Sequence, residues 1–261
     1  MEKKDQQIAI NKQQQQKHDE DLKELEKFKQ QKLQLEVLQK VKQQAVNENK
    51  NRNWSMAIQH WERYGEMCKK YERSITADEY SFWGNSYFER AAEVTAEQGF
   101  HDEKSGKLLG KAVQYLHRST QMSENLQDVR SYIKAVQRLG AKNHSQEAIL
   151  KANMWLKKSI DKETKKELTY SLGVLCCRDG KHQKAIDFLS DAEDLGMNHG
   201  WLYFFRAESY YALGSIDNNR SLLKQAKKNI RKAQNKAKKR KDFQNRCSEM
   251  LSDIKKRMGN K

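Results

Sequence analysis

The 261-residue sequence contains no proline, where average usage would place roughly thirteen. It also has only 12 glycines, too few for the many tight turns of a β-sandwich or barrel. Without proline, helices can continue uninterrupted, because a proline removes a backbone hydrogen bond and clashes with the preceding turn. The composition is rich in Lys, Glu, Gln, Leu and Ala, which favour helix. The sequence therefore predicts an all-α fold.

Long apolar runs are also missing, so the sequence predicts no membrane span. Residues 1–7 lack the apolar centre of a signal peptide, and no cleaved leader is expected. The four cysteines show no Cys-x-x-Cys spacing, and Cys176 and Cys177 are adjacent. Reduced, buried thiols are therefore expected. These features favour an intracellular protein of the cytoplasm, with a nuclear or cytoskeleton-associated location as alternatives.

Recognisable catalytic and metal-binding motifs are absent from the sequence. The seven histidines show neither His-Glu-x-x-His nor His-x-His spacing, so no zinc site is predicted. Gly106–Ala112 superficially resembles a phosphate-binding loop, but it is one residue short and has Ala112 where magnesium requires Ser or Thr. No Gly-x-Ser-x-Gly segment occurs,. We therefore expect no enzymatic activity, no cofactor and no metal.

Positive charge is concentrated at the C-terminal end. Of the net charge of +16, an excess of +12 falls within residues 224–261, whose acidic residues are Asp242, Glu249 and Asp253. Such a segment attracts polyanions, namely RNA, an acidic lipid surface or an acidic protein tail; the alternative is a solvated helix face that maintains solubility. The candidate polyanion-binding residues are Lys227, Lys228, Arg231, Lys238, Lys239, Arg240 and Lys241.

The N-terminal end is rich in Gln and Lys. Residues 1–21 are of low complexity, and from Leu22 onward apolar residues recur three to five apart, which is helical spacing. Gln31 and Lys42 interrupt the heptad seam,. We expect one long helix whose C-terminal half packs on the body, with a dimeric coiled coil as the alternative. Residues 1–36 are interpreted as a low-complexity to helical extension.

A 34-residue period links two segments of the body. Leu172, Gly173, Gly180, Ala185, Leu189 and Ala192 recur as Arg206, Ala207, Gly214, Asn219, Leu223 and Ala226. Each copy predicts a helix, a turn and a second helix, with small residues where the two helices approach closely. The pattern resembles the tetratricopeptide repeat (TPR), although Arg206 replaces the usual Leu, Asn219 replaces the usual Ala, and the closing Pro is missing.

The TPR resemblance implies an all-α, right-handed superhelical solenoid of TPR-like helical hairpins with long N- and C-terminal helices. Residues 37–233 are expected to form the repeat domain, and residues 234–261 a basic capping helix. An insertion around Gly99–Gly106 is interpreted as a surface loop or a partner-contacting loop. The hairpins are expected near residues 38–71, 77–123, 126–160, 166–199 and 200–233.

The positions that line the groove in the TPR family carry over to this sequence. The implied partner-binding residues are Asn85, Phe88, Tyr170, Val174, Arg178, Trp201, Phe204, Glu208 and Tyr211. The aromatic members suit an apolar helix or peptide, with packing between repeats as their alternative role. The Lys, Asn and Arg clamp of chaperone-binding members does not appear, so no chaperone-tail receptor is predicted.

The resemblance implies a non-catalytic protein–protein interaction adaptor or scaffold, which we expect to be a subunit of a larger assembly. The alternative is an RNA- or ribonucleoprotein-associated factor that is anchored by the basic C-terminal segment. A vesicle-fusion adaptor of the soluble attachment-protein kind is a third possibility, on architecture alone.

Overall fold

A computed structural model describes residues 2–98, 102–216, 218–236 and 240–259. Within these residues every regular element is an α-helix, and eleven helices follow one another along the chain. The all-α prediction is confirmed. The chain divides into two compact units, of which the first extends to Ile75 and the second starts at Thr76. In the described ranges, no helix combines the length and the apolar content needed to cross a bilayer.

The first unit contains two helices, α1 (Glu2–Lys50) and α2 (Trp54–Lys70). Leu38, Val41 and Ala45 of α1 are buried, as are Trp61 and Tyr64 of α2. These spacings place one face of each helix in the core. The predicted border after residue 36 falls inside α1, close to the point where its side chains become buried. Before that point α1 exposes its large apolar residues Leu22, Leu25, Phe28, Leu33, Leu35 and Val37.

The second unit contains four helical hairpins and a final helix in its described residues. Consecutive helices pack on each other, and α7 also packs on α5 and α9. The bounds agree with the hairpins predicted between residues 77 and 233, although the predicted border after residue 233 falls inside α10. The pairs are α3 (Ala77–Gln98) with α4 (Glu103–Met122), α5 (Leu126–Leu139) with α6 (Lys142–Leu156), α7 (Lys162–Arg178) with α8 (His182–Asp194), and α9 (Gly200–Ile216) with α10 (Arg220–Lys236), followed by α11 (Lys241–Arg257).

The insertion in the second predicted hairpin differs from the loop that we expected. Helix α3 has 22 residues and α4 has 20, so the extra residues lengthen the two helices. Gly106 lies inside α4, and Asp102 caps that helix by accepting a hydrogen bond of 2.7 Å from the Ser105 backbone N–H. The loop interpretation is therefore wrong for the described part of this segment. Residues 99–101 lie outside the described residues.

Close pairing of helices depends on a glycine that faces a leucine in two hairpins. A Cβ atom on Gly173 would lie 2.6 Å from Leu189 Cγ, and one on Gly84 would lie 2.7 Å from Leu116 Cγ. Close-packed interiors have no room for atoms at such distances, so glycine is what lets α7 approach α8, and α3 approach α4. The second hairpin thus repeats the contact of the fourth, as expected of TPR-like repeats. The right-handed superhelix stays a prediction.

Arg206, which departs from the TPR pattern, is only 7% exposed. Its guanidinium donates to Glu193 Oε2 at 2.6 Å, to Asn229 Oδ1 at 2.9 Å and to Ser190 Oγ at 3.2 Å. Tyr203 donates its hydroxyl proton to Glu193 Oε1 at 2.8 Å. These five residues, which we call the Arg206 network, join α8, α9 and α10.

All four cysteines are buried and free of disulfides, as predicted. Burial raises the pKa of Cys177 to about 12 and the pKa of Cys247 to about 11. Because the thiolate is the reactive form, these two thiols are protonated and unreactive at neutral pH.

Candidate functional site

A cavity of about 1810 Å³ opens in the second unit. Its walls come mainly from the first helices of the hairpins, α3, α5, α7 and α9, together with α11. Helical-repeat proteins use such concave surfaces, built from equivalent helices of successive repeats, to bind partners. We call this space the first-helix cavity.

Aromatic side chains of α9 form the floor of the first-helix cavity. Trp201 packs edge-on against Phe243 of α11, with ring centroids 4.4 Å apart, and stacks on Phe205 at 5.7 Å. Phe204 and Phe205 are each 9% exposed, whereas Trp201 and Tyr211 are half-buried. The aromatic cluster is therefore largely core, and Trp201 and Tyr211 keep surface that a partner can contact.

Two arginines flank this aromatic floor. The guanidinium carbon of Arg178 lies 5.8 Å from the centre of the Phe205 ring, and that of Arg246 lies 5.9 Å from the Trp201 ring. Burial lowers the pKa of Arg178, the Glu208 carboxylate opposes this change, and Arg246 adds to it. Arg178 thus interacts with one carboxylate and one further guanidinium. Asp242, Glu249 and Asp253 of α11 line the same cavity, so the two guanidinium groups share it with several carboxylates.

The carboxylates of α7 are neutralised within the protein. Glu167 accepts a hydrogen bond from Arg130 at 2.5 Å and pairs with Lys134 at 2.9 Å. Burial alone would raise the pKa of Glu167, but these two cations of α5 outweigh burial and lower it. Glu163 pairs with Lys166 at 2.6 Å. The α7 carboxylates therefore do not offset the two guanidinium groups at the floor.

Six of the nine predicted groove residues line the first-helix cavity: Tyr170, Arg178, Trp201, Phe204, Glu208 and Tyr211. The other three require correction. Val174 is fully buried in the core. Phe88 is buried beneath Arg138, whose guanidinium carbon lies 4.4 Å from the ring centre. Asn85 donates to the Ser81 carbonyl at 2.9 Å; on α3 the cavity is instead lined further along the helix, by Ala91, Ala92 and Thr95.

Sequence reasoning missed the contribution of α11. Asp242 and Arg246 line the cavity, although the segment was predicted only as a basic cap. The 34-residue frame contains the signal, because Arg246 follows Arg178 by two periods and Asp242 follows Glu208 by one,. Continuing that frame beyond residue 233 identifies α11 as the first helix of a further repeat.

The predicted polyanion-binding residues are divided between two elements. Lys227, Lys228 and Arg231 belong to α10, which has seven basic residues and no acidic one. Arg240 and Lys241 instead line the first-helix cavity. Lys238 and Lys239 lie outside the described residues. The basic surface that the structure describes is therefore mainly the exposed face of α10.

Three side chains of metal-ligating type meet elsewhere in the second unit. One atom from each of His117, His144 and Glu147 lies within 4.8 Å of the other two. His117 is on α4, whereas His144 and Glu147 are one turn apart on α6. No sequence motif identifies such a group, because folding brings together residues that are far apart along the chain.

The helix pairing defines this chain as an all-α helical-repeat protein of the TPR-like kind. No protein-family model matches the sequence, and no curated protein matches it either. Similar solved structures include a thermophilic TPR protein of Thermus thermophilus, with 15% identity, a TM-score of 0.45, and 82% of this chain and 99% of that chain covered. The TPR2AB domain of yeast Sti1 in a pHSP90 complex has 12% identity, a TM-score of 0.32, and coverages of 84% and 98%. At these identities and scores, neither protein informs on the function of this chain.

Proposed function

We propose that the chain is a non-catalytic adaptor that binds a protein segment in the first-helix cavity. The observation that carries the proposal is the aromatic floor around Trp201, flanked by Arg178 and Arg246. Trp201 and Tyr211 are half-buried, and Arg178 and Arg246 are exposed. Aromatic and arginine side chains are the residue types that dominate binding energy at protein interfaces. The bound segment would therefore present an apolar side chain to Trp201 and Tyr211, and a carboxylate to the two arginines.

The floor is preorganised for this role. Trp201 is held by Phe243, Phe204 and Phe205, so little side-chain entropy remains to be lost when a partner binds. Arg178 and Arg246, which we call the arginine rim, are more exposed than the aromatic floor, so salt screens their contribution to affinity. We therefore expect the apolar contact to supply most of the affinity and the carboxylate to supply orientation.

An adaptor also needs a second surface, and the first unit offers one. The part of α1 before residue 38 exposes six large apolar side chains, from Leu22 to Val37. Large apolar patches at a protein surface mark places that other proteins cover, and we propose that these side chains contribute to such a patch. Membership of a larger assembly, with α1 and the first-helix cavity each contacting a partner, is the form of adaptor that we propose.

The test is selection of random peptides on the full chain, followed by calorimetric measurement of the dissociation constant. The proposal expects selected peptides to combine a large apolar residue with Asp or Glu. Tyr211→Ala should weaken binding about thirtyfold, as for an interface hot spot. The matched control is Tyr210→Ala, which removes a half-buried tyrosine of α9 that does not line the cavity.

A charge reversal tests the arginine rim separately. Arg246→Glu should remove the preference for acidic peptides, whereas Arg257→Glu, an exposed position at the end of the same helix, should not. Equal losses for Tyr210→Ala and Tyr211→Ala would contradict binding in the cavity. Peptides without acidic residues would contradict the carboxylate partner.

We propose polyanion binding by α10 as a second candidate function, as for an RNA- or ribonucleoprotein-associated factor. The observation that favours it is a helix of 17 residues with seven Lys or Arg and no carboxylate of its own. Lys228 and Arg231 are both exposed on this helix. Such a surface binds phosphates by releasing their counterions.

Single-stranded RNA binding, measured by anisotropy over a salt series, tests this second function. Replacing Lys228 and Arg231 by Ala should reduce the slope of log affinity against log salt by about 1.4, since two phosphate contacts are lost. The matched control replaces Lys255 and Lys256, two exposed lysines of α11, by Ala. Equal slopes for the two double variants would contradict a specific role for α10.

A further inference from the structure

His117, His144 and Glu147 lie together between α4 and α6, outside the first-helix cavity. We propose that these three side chains bind a first-row divalent transition metal ion of the Zn²⁺ class. Two imidazoles and one carboxylate are a ligand set that Zn²⁺ accepts, with water in the fourth position. The site is separate from the proposed adaptor function and does not depend on it.

The geometry is close to what a tetrahedral ion requires. The three ligand atoms lie within 4.8 Å of one another, and His117 Nε2 lies 2.6 Å from Glu147 Oε2. With metal–ligand bonds of about 2.0–2.1 Å, tetrahedral ligand atoms are separated by about 3.3 Å. Small side-chain rotations would open the His117–Glu147 contact and close the remaining gaps, since all three residues are half-buried and none is locked in the core.

Neighbouring residues orient two of the three ligands. The Tyr132 hydroxyl lies 3.1 Å from His144 Nδ1 and orients that ring. Lys151 Nζ lies 3.5 Å from Glu147 Oε1, so it engages the oxygen that does not face His117. Metal sites depend on such supporting contacts, because they fix ring orientation and ligand basicity.

The chemical types of the three ligands restrict which metal ions the site can bind. No thiolate belongs to the group, which separates it from soft, cysteine-rich sites, and the two imidazoles disfavour Ca²⁺ and Mg²⁺, which prefer oxygen ligands. In the absence of metal, His117 and Glu147 satisfy each other by their hydrogen bond. Metal binding replaces that bond, joins α4 to α6 directly, and should raise the melting temperature of the full chain.

Calorimetric titration of the full chain with Zn²⁺ tests the proposal. We expect one ion per chain, and Glu147→Gln or His144→Asn should abolish this stoichiometric binding. Tyr132→Phe, which keeps the ring and removes the supporting hydroxyl, should weaken the affinity by about tenfold or more. His182→Gln is the matched control, because it removes a half-buried histidine of the same unit that is not part of the group.

A second measurement uses Co²⁺ as a spectroscopic substitute. The proposal expects visible absorption typical of tetrahedral Co²⁺ without the near-ultraviolet band of a thiolate ligand, and loss of this spectrum in Glu147→Gln. Melting curves of each variant without metal show whether it is folded. Unchanged Zn²⁺ affinity in folded Glu147→Gln and His144→Asn, a thiolate band, or no binding by the natural sequence would each overturn the site.

Discussion

The fourth hairpin, α7–α8, and the fifth hairpin, α9–α10, share one frame but fill an equivalent position with opposite chemistry. Leu172 is fully buried in the fourth hairpin. Arg206, one 34-residue period later, is 7% exposed and is bound by Glu193, Asn229 and Ser190. Both side chains are almost completely removed from water. Leu172 is stabilised there by apolar packing, and Arg206 by hydrogen bonds that satisfy its donors.

This comparison indicates that the repeat frame determines the position of a side chain but not its chemical type. A buried guanidinium is costly unless its donors are paired, and a buried ion pair is weak evidence of stability. The Arg206 network, however, joins specific partners on α8 and α10, whereas Leu172 can pack against any apolar surface. We interpret Arg206 as a residue that specifies which helices neighbour α9.

The largest expected effect tests the close helix contact on which the fourth hairpin depends. Gly173→Leu places a side chain where even a Cβ atom would lie 2.6 Å from Leu189 Cγ and 3.2 Å from the Leu189 backbone nitrogen. Separating α7 from α8 should cost about 3 kcal/mol or more of unfolding free energy, measured by urea denaturation. The control is Gly110→Leu in α4, where a Cβ atom would have nothing within 4 Å apart from the adjacent backbone of its own helix.

Gly110→Leu should leave stability unchanged or raise it by up to about 1 kcal/mol, because leucine is the better helix former. A thermal midpoint for Gly173→Leu that equals that of the natural sequence would contradict the close approach of α7 and α8, and with it the repeat frame.

The next effect compares the equivalent positions directly by introducing the same residue at both. Arg206→Met leaves Glu193 and Asn229 without their main donor and should cost about 2–3 kcal/mol. Leu172→Met conserves volume and polarity and should cost less than about 1.5 kcal/mol. The difference in urea midpoints measures what the Arg206 network contributes beyond burial. Equal costs would show that Arg206 acts only as a space-filling side chain.

Sequence reasoning predicted those features of the fold that periodicity encodes. The 34-residue spacing of small and bulky residues located α7 to α10 closely, and the Gly173–Leu189 contact follows from it. The same frame placed Tyr170, Trp201 and Tyr211 at positions that line the first-helix cavity. Helical period and repeat spacing are local properties, so they can be read from one sequence.

The remaining features of the fold and of the candidate sites depend on contacts that the spacing of residues along the sequence does not reveal. Arg206 departs from the repeat pattern because it replaces the usual Leu. Its partner Glu193 lies on another helix, so spacing along the sequence does not reveal the pairing. The insertion near Gly106 looked like a loop, although a longer helix accommodates it equally well. His117 and His144 have no motif spacing, and they meet only because α4 and α6 both pack on α5.

A smaller effect concerns acid, and it arises from Glu193, the α8 carboxylate of the Arg206 network. Burial tends to raise the pKa of Glu193, but the hydrogen bonds from Tyr203 and Arg206 outweigh burial and lower it below its ordinary value of 4.5. A lowered carboxyl pKa stabilises the folded state above the unfolded pKa, and this stability is lost as pH falls through the folded value. Glu193→Gln should therefore flatten the loss of unfolding free energy between about pH 6 and pH 3.5.

Asp187→Asn is the control for the acid effect, because Asp187 is an exposed carboxylate of the same helix, α8. It should leave the slope of unfolding free energy against pH close to that of the natural sequence. Equal flattening in both variants would show that overall charge, and not the Arg206 network, determines the acid response.

The smallest effect lies at the alkaline end and isolates Tyr203. Burial and the Glu193 carboxylate raise the pKa of Tyr203 from its ordinary value of 10.0 to about 12. The unfolded chain then loses this proton at lower pH than the folded one, so the contribution of Tyr203 is complete below the unfolded pKa and is lost as pH rises through the folded value. The unfolding free energy of Tyr203→Phe should therefore fall less steeply with rising pH than that of the natural sequence, between about pH 10 and pH 12. Tyr210→Phe removes a phenol from α9 outside the network and should keep the natural slope of unfolding free energy against pH. If Tyr210→Phe reduced this slope as much as Tyr203→Phe does, the raised pKa could not be assigned to the Arg206 network. The fourth and fifth hairpins would then differ in packing at positions 172 and 206 but not in their response to alkaline pH.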